Sequence, residues 1–305
     1  MIKPMEPVLK NEITEEEKRV FQVKWDGIRL IIHINKTKSK DTRNIHIHTK
    51  AGKNKTATYP ELYSLYDLFR GDSCILDGEV ITMNEQGLPS FYDLLKRNRI
   101  DNPNNKTKVS IPISYIVFDI LKLNGEELFN LTLDHRFDIL TKVLDENKNV
   151  KIIENIEDGI QLFDSIKKIG LEGIVSKEKE GLYHPGKRHP TWHKIKNFQY
   201  ILAIVGGMVY ENSRPKSLIL GVKKGNHKLL YIGRALTGLN EKDLKLLDDL
   251  AFNSSYPSPF SNEIKLTDKE KARFLPPVIS AKIKFLGWTP ENTMRAPVIV
   301  GFIKG

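Results

Sequence analysis

The chain has 305 residues, of which 40% are hydrophobic and 28% charged, and it contains one cysteine. This composition is typical of a soluble globular protein of about two domains rather than of a disordered chain, and a single cysteine excludes an intrachain disulfide. The formal net charge of +10 favours a polyanionic partner such as nucleic acid.

No targeting or membrane segment is predicted. The N-terminal stretch MIKPMEPVLKNEI lacks the basic start and apolar run of a secretory signal. Cys74 has no second cysteine with which to form a disulfide or a cysteine-rich zinc site. The stretch 200–210 is too short to cross a membrane. We therefore expect a cytoplasmic protein without membrane association.

The first two thirds of the chain mix predicted strands and helices in an irregular order. Alternation of apolar and polar residues predicts strands over 21–24, 28–34, 45–48, 74–82 and 113–121. Helical periodicity predicts helices over 59–69, 133–146 and 157–169. Because the spacing is not that of repeated βαβ units, an antiparallel-rich α+β domain is expected.

The character of the sequence changes near residue 199. Strands are predicted over 201–210, 216–223, 229–235, 279–288 and 297–303, around a single helix over 241–252. Five short strands with one helix between them are typical of a small Greek-key barrel such as an oligonucleotide-binding (OB) fold. The sequence thus predicts two domains, over residues 1–199 and 200–305.

The segment VKWDGIRL places Lys24 directly after an apolar strand, with Asp26, Gly27 and Arg29 following. An amine is a good nucleophile only when it is neutral, and burial, neighbouring cations or a metal ion lower its pKa. Asp-Gly permits a tight turn that brings the backbone close to a phosphate. Lys24 is therefore predicted to be a nucleophile.

Carboxylates and further lysines follow at other strand ends. Asp77-Gly78-Glu79 ends one apolar strand, although this triplet alone is more typical of a hairpin turn. In LEGIVSK, Glu172 opens another strand and Lys177 closes it. Lys194 and Lys196 alternate with Ile195, so they share one strand face. Carboxylate oxygens for Mg²⁺ and cations for phosphate indicate phosphoryl-transfer chemistry.

With these motifs in this order, the chain resembles the ATP-dependent DNA ligases, which belong to the covalent nucleotidyltransferase superfamily with RNA ligases and mRNA capping enzymes. The resemblance covers nearly the whole length and is strongest to compact bacterial ligases and the ligase module of bacterial end-joining enzymes. It implies an antiparallel-sheet nucleotidyltransferase domain followed by an all-β OB-fold barrel. ATP and Mg²⁺ (or Mn²⁺) are the implied cofactors.

The resemblance also implies a role for each matching residue. Lys24 would be adenylylated, with Arg29 near the ribose and Phe118 stacked on the adenine. The other implied positions are Gln22, Glu79, Lys194 and Lys196 for ATP, Glu79, Glu172 and Asp26 for the metal, and Lys50, Arg188, Arg234 and Arg295 for DNA.

The implied reaction seals nicked or broken duplex DNA, in DNA repair or end joining, with recombination and replication as further settings for such an enzyme; the sequence does not choose between nick repair and double-strand end joining. AMP would pass from ATP to Lys24, then to a 5′-phosphate, and would leave when a 3′-hydroxyl attacks. The enzyme is expected to act as a monomer, and either the barrel alone or a DNA-end-binding protein would bring it to the break.

Three departures from the family pattern modify these expectations. Lys50 stands where the family usually has arginine, and an ammonium cannot bind phosphate in the bidentate way of a guanidinium. Gln22 stands where many relatives have glutamate. The chain stops at Ile303-Lys304-Gly305 without the usual acidic-lysine pair, which predicts reduced but not absent self-adenylylation.

Two alternative functions remain open at this point. An RNA ligase or a capping-type guanylyltransferase would use the same covalent step. A basic DNA-binding protein could keep the fold with weakened catalysis, as the shortened C-terminal motif would suggest.

Overall fold

The computed structural model describes residues 2–14, 17–36, 44–225 and 228–303. The chain divides into two compact units, Met1–Asn197 and Phe198–Gly305. No helix in these described ranges is long and apolar enough to cross a membrane. Lys304 and Gly305, which the prediction about the C-terminal motif concerns, lie outside the described residues.

The first unit contains ten strands and five helices among the described residues. In chain order they are β1 (Glu6–Lys10), β2 (Arg19–Val23), β3 (Ile28–Asn35), β4 (Ile45–Thr49), α1 (Leu65–Leu68), β5 (Ser73–Ile81), α2 (Phe91–Arg97), α3 (Asn105–Ser110), β6 (Ser114–Leu123), β7 (Glu126–Glu127), α4 (Leu133–Val143), β8 (Val150–Ile152), α5 (Gly159–Ile169), β9 (Gly173–Glu178) and β10 (Arg188–Lys196).

These strands form two sheets. The first sheet has the order β1-β10-β9-β2, and the second has the order β4-β3-β5-β6-β7 with β8 beside β6. Two of the pairings are parallel, β1 with β10 and β6 with β8, and the remaining pairings in the described part of the unit are antiparallel. The prediction of an antiparallel-rich α+β domain is confirmed.

The second sheet buries both of its faces, because successive side chains of a strand point to opposite sides. On β3, Leu30 and Ile32 belong to the core that includes Leu140 of α4. Ile31, between them, belongs to a separate cluster with Trp192 of the first sheet. One face of the second sheet therefore packs against helices and the other faces the first sheet.

Within its described residues, the second unit is a five-stranded antiparallel sheet with one helix, in the order β13-β12-β11-β14-β15. Its elements are β11 (Gln199–Glu211), β12 (Arg214–Lys224), β13 (Lys228–Ala235), α6 (Glu241–Phe252), β14 (Glu270–Phe285) and β15 (Val298–Ile303). The amides of Met294 and Ile299 donate to the carbonyls of Ile232 and Thr237, each over 2.8 Å. These bonds join the two ends of the strand path, as an OB-type barrel requires.

Some predicted elements have different bounds. The helix predicted over 59–69 is a 3-10 turn, Pro60–Ser64, followed by the single turn of α1. Helix α5 begins after Asp158, whose side chain accepts a hydrogen bond from the amide of Gln161 and caps the helix. Strand β14 starts at Glu270 rather than 279. The sequence did not predict β1, β7, β8, α2 or α3; β7 and β8 have only two and three residues, too few for a periodic signal.

Candidate active site

A cavity of about 220 Å³ lies between the two sheets of the first unit. Strands β2, β9 and β10 of the first sheet contribute Gln22, Val175, Lys177, Trp192 and Lys194. Strands β3, β5 and β6 of the second sheet contribute Arg29, Glu79 and Phe118. Its remaining lining residues are Glu6, Pro7, Val23, Lys24, Trp25, Lys50 and Ile153.

The register of the first sheet explains why distant motifs meet here. Val175 pairs with Gln22 on one side and with Lys194 on the other. Two residues along β9, Lys177 pairs with Trp192. Because side chains repeat on one face every two residues, these groups all face the cavity, whereas Ile195 lies in a hydrophobic core. This register agrees with the prediction that Lys194 and Lys196 share one strand face while Ile195 points to the other.

Lys24 lies just beyond the end of β2, where its amide donates to the carbonyl of Gly173 over 2.9 Å. Its Nζ donates to Oε2 of Glu172 over 2.5 Å. The other oxygen of Glu172, Oε1, lies 3.5 Å from Nζ of Lys196. One carboxylate thus joins the lysine of the first motif to a lysine of the last, and all three side chains are largely buried.

Arg29 is held by a set of hydrogen bonds that the sequence did not predict. Its Nε and one terminal nitrogen donate to the two carboxylate oxygens of Asp77, over 2.8 and 2.5 Å. The other terminal nitrogen donates to the carbonyl of Met5 over 2.6 Å, and the hydroxyl of Tyr183 donates to Asp77 over 2.8 Å. Burial alone would lower the pKa of Arg29, but Asp77 more than offsets it and raises that pKa. Arg29 is therefore a fixed cation in the cavity wall.

Glu79 differs from Asp77 because no arginine fork binds it in the described contacts. Burial raises the pKa of Glu79, Lys24 and Arg29 oppose this, and the neighbouring carboxylates Asp77 and Glu172 add to it, so that the resulting pKa is about 8. At neutral pH its carboxyl group is therefore largely protonated.

The described residues contain no cluster of three or more His, Cys, Asp or Glu side chains placed to hold a metal ion. The predicted trio of Asp26, Glu79 and Glu172 is thus not assembled as a metal cage, and of the three only Glu79 lines the cavity. Mg²⁺ usually takes one or two carboxylates and completes its shell with waters and substrate phosphates. Glu79 and Glu172 alone fit that pattern, because a divalent cation would supply the positive charge that buried Glu79 lacks.

Gln22 and Phe118 line the cavity from opposite sheets. The side chain of Gln22 is 2% exposed, and its Nε2 donates to Oδ1 of Asn155 over 2.6 Å. The ring of Phe118 lies 5.2 Å from the guanidinium carbon of Arg29 and meets Trp192 edge-on. Phe118 is partly exposed to the cavity, as a stacking platform must be.

The reason for a glycine at position 27 is packing rather than an unusual backbone angle. Gly27 is absent from the glycines with positive φ in the described ranges. A Cβ atom there would lie 2.3 Å from the carbonyl oxygen of Val80 and 2.7 Å from Cγ of Glu79. The glycine therefore allows the chain to pass close to β5. The expected approach of the same turn to a phosphate stays a prediction.

Several of the predicted cations have acidic partners. Lys50 and Arg188 both form ion pairs with Glu6, the latter over 3.2 Å. Burial lowers the pKa of Lys194, and Lys196 and Lys24 lower it further. In the second unit Arg234 pairs with Glu270 over 3.0 Å, and Arg295 is a partly buried residue between β14 and β15.

Comparison with known proteins agrees with this architecture. The sequence profile of the ATP dependent DNA ligase domain matches residues 2–196, and that of the ATP dependent DNA ligase C terminal region matches residues 211–303. The multifunctional non-homologous end joining DNA repair protein LigD of Mycobacterium tuberculosis is 29% identical over 281 residues, which is 90% of this chain and 35% of that protein. The chain thus spans about a third of the length of that relative.

The chain is also similar to a second ligase-like protein and to a solved ligase structure. The SPbeta prophage-derived DNA ligase-like protein LigB of Bacillus subtilis is 31% identical over 205 residues, 66% of this chain and 70% of LigB. The solved structure of mycobacterial DNA ligase D complexed with ATP and MES covers 99% of this chain and 95% of that one, with 25% identity and a TM-score of 0.55.

A cavity between two antiparallel-rich sheets, with a lysine at its wall and an OB-type unit following along the chain, is the architecture expected of a covalent nucleotidyltransferase. Within that class, the chain belongs to the family of ATP-dependent DNA ligases, because the family profile covers residues 2–196. It therefore carries the ATP-dependent ligase architecture of a nucleotidyltransferase domain and an OB-fold domain, and both the predicted family and the predicted fold class are confirmed.

Proposed function

We propose that this chain seals breaks between a 5′-phosphate and a 3′-hydroxyl in duplex DNA, using ATP and a covalent lysyl-AMP intermediate on Lys24. The observation that carries the proposal is the carboxylate of Glu172, which joins Lys24, a residue of the cavity lining, to Lys196. A carboxylate shared by two lysines, one of which lines a cavity, is an arrangement suited to phosphoryl transfer.

The first step would form one N–P bond and break one P–O bond. The neutral amine of Lys24, released from Glu172, attacks the α-phosphate of ATP, its proton passes to solvent, and pyrophosphate leaves. Lys194 and Lys196 would offset the negative charge that develops on the α-phosphate. Burial lowers the pKa of Lys194, and repulsion from Lys196 and Lys24 lowers it further; an anionic ligand would relieve that repulsion.

The nucleoside would lie between the two sheets. Phe118 is proposed to stack on the adenine, with Gln22 near the edge of the base. The Arg29 guanidinium, fixed by Asp77, would approach the ribose. Because Gln22 already donates to Asn155, the pair would act together toward the base rather than Gln22 alone.

A divalent cation, Mg²⁺ or Mn²⁺, would be held by Glu79 and Glu172, and when bound it would neutralise phosphate charge. The second and third steps would transfer AMP to the 5′-phosphate at the break and then expel it when the 3′-hydroxyl attacks. For both, the contribution of the protein is alignment of the reacting groups.

Contact with DNA is proposed for Lys50, Arg188, Arg234 and Arg295. The proposed domain division stands at 199/200, close to the 197/198 division between the compact units. A monomer is proposed, recruited to breaks by its own OB-fold domain or by a DNA-end-binding protein. The name of the mycobacterial relative supports a role in double-strand end joining.

The test is sealing of a nicked duplex that carries a 5′-phosphate. We expect ATP with Mg²⁺ to support sealing, GTP to fail, and a nicked RNA duplex to be a poor substrate. A preference for GTP or RNA would instead indicate the guanylyltransferase or RNA ligase alternative. DNA binding without any sealing would contradict the proposed activity.

A further inference from the structure

Lys177, near the end of β9, is a buried cation that the proposed reaction does not use. It is 2% exposed, and its Nζ has no hydrogen-bond partner among the described residues. It also lines the nucleotide cavity. Burying an ammonium without a hydrogen bond is unfavourable, so we expect another interaction to stabilise the buried lysine at this position.

Two aromatic rings provide that interaction. Nζ of Lys177 lies 4.0 Å from the centre of the Trp192 ring and 4.5 Å from the centre of the Phe118 ring. The two rings meet edge to face, with centres 6.1 Å apart. Cation–π attraction at such distances is strongest where water is excluded, as it is here.

The two rings belong to different sheets. Trp192 is the cross-strand partner of Lys177 within the first sheet. Phe118 lies on β6 of the second sheet. Lys177 therefore connects the first sheet to the side chain that is proposed to carry the base, and it does so across the cavity that separates the sheets.

Charged groups of both signs face Lys177. Burial lowers the pKa of Lys177, the carboxylates Asp119 and Asp77 oppose this, and the guanidinium groups of Arg29 and Arg136 add to it, so that the resulting pKa is about 7. The ammonium and the neutral amine are therefore both populated near neutral pH, and only the ammonium attracts the face of an aromatic ring.

We infer that Lys177 is a positioning residue for the nucleotide, which holds the Phe118 ring in the orientation required for stacking against the base. The inference rests on the proposed function, because that function places ATP in this cavity. Lys177 acts through Phe118 and need not contact the reacting phosphate, so it should affect ATP binding more than the rate of the chemical step.

The experiment measures adenylylation of the full chain against ATP concentration for wild type, Lys177→Met and a matched surface variant, Lys142→Met. Methionine keeps an unbranched side chain of similar length without the charge, and Lys142 is exposed on α4. We expect Lys177→Met to raise the half-maximal ATP concentration about 3- to 10-fold, with a maximal rate within about twofold of wild type. Lys142→Met should match wild type.

A pH series separates positioning from simple structural packing. Since the ammonium prevails below its pKa, the ratio of half-maximal ATP concentrations, variant to wild type, should be largest near about pH 6 and approach one near about pH 8. A Lys177→Arg variant keeps its charge throughout and should rescue binding at the higher pH.

The outcomes that overturn the inference are specific. An unchanged half-maximal ATP concentration in Lys177→Met, or a ratio that does not change with pH, would show that Lys177 is only a buried structural residue. If Lys177→Met fails to fold, the test becomes a comparison of wild type with Lys177→Arg, in which the half-maximal ATP concentration of each is measured against pH. Identical pH dependence in the two proteins would refute the inference. Failure of wild type to form any adduct would instead refute the proposed function.

Discussion

Gly27 lies so close to β5 that any side chain would displace the cavity wall. A Cβ atom would sit 2.3 Å from the Val80 carbonyl oxygen and 2.7 Å from the Glu79 side chain. We predict that Gly27→Ala lowers the free energy of unfolding by about 1–3 kcal/mol, because a well-packed site must shift to accept the methyl group. It should also reduce adenylylation, since Glu79 moves.

The measurement is urea unfolding of the variant beside Gly301→Ala. Gly301 has ordinary φ and no atom within 4 Å of a built Cβ, so its substitution should change stability by less than about 0.5 kcal/mol. Equal stability of the two variants would show that the contact at Gly27 is easily relieved.

Glu6 makes ion pairs with two cations that are proposed to bind DNA, Lys50 and Arg188. Lys50 lowers the pKa of Glu6 and Arg188 lowers it further, so the carboxylate is ionised at neutral pH. An incoming phosphate would have to displace it. We predict that Glu6→Gln binds a nicked duplex about two- to fivefold more tightly at low salt, which is the range expected for exposed ion pairs.

A binding titration at low and high ionic strength checks this prediction. The gain should shrink as salt screens the exposed charges. Glu127→Gln, which removes the same charge from the exposed strand β7, is the control and should leave affinity nearly unchanged. Equal gains for both variants would mean that net charge, rather than release of Lys50 and Arg188, is responsible.

At the scale of elements, α4 is anchored to β6 next to the proposed stacking residue. Arg136 donates to both carboxylate oxygens of Asp119, over 2.7 and 2.9 Å, and both side chains are fully buried. Arg136 also donates to the carbonyl of Leu131 over 2.6 Å. Asp119 directly follows Phe118, so this pair fixes the backbone that presents the ring.

We predict that Arg136→Ala destabilises the first unit by about 3–5 kcal/mol, because it leaves a buried carboxylate without a partner. Equilibrium unfolding in urea measures the change. The exposed pair of Arg70 and Asp145, at 2.7 Å, offers a matched control. Arg70→Ala should cost less than about 1 kcal/mol, and a similar loss in both variants would contradict the account.

Long periodic elements were predictable from sequence, and short ones were not. Helices α4, α5 and α6 and strands β3, β5 and β6 follow the apolar periodicity of their segments, because each buries one face or both. By contrast β1 has five residues with no buried side chain, so its pairing with β10 depends on hydrogen bonds that no local pattern reveals.

In the candidate site, too, some features were predictable from sequence and others were not. Lys24, Glu172 and Lys196 could be predicted to meet because nucleophile and phosphate-binding motifs have recognisable residue types. The roles of Asp77, Tyr183, Trp192 and Lys177 could not, since each depends on a partner from the other sheet or a distant loop. Asp26 has the right chemistry for a metal ligand but lies outside the cavity lining.

At the scale of the whole molecule, the first unit places an amine, two carboxylates and several cations around one cavity between its two sheets. The excess positive charge of +10 is suited to a polyanionic substrate. The proposed reaction depends on a single bond, the phosphoramidate between Lys24 and AMP.

The most direct test is intact-protein mass spectrometry after incubation with ATP and Mg²⁺, on wild type, Lys24→Ala and the surface variant Lys142→Ala. The account predicts the added mass of one AMP on wild type and Lys142→Ala and none on Lys24→Ala, with peptide mapping placing the adduct on Lys24. No adduct on wild type, or an adduct that persists in Lys24→Ala, would contradict it.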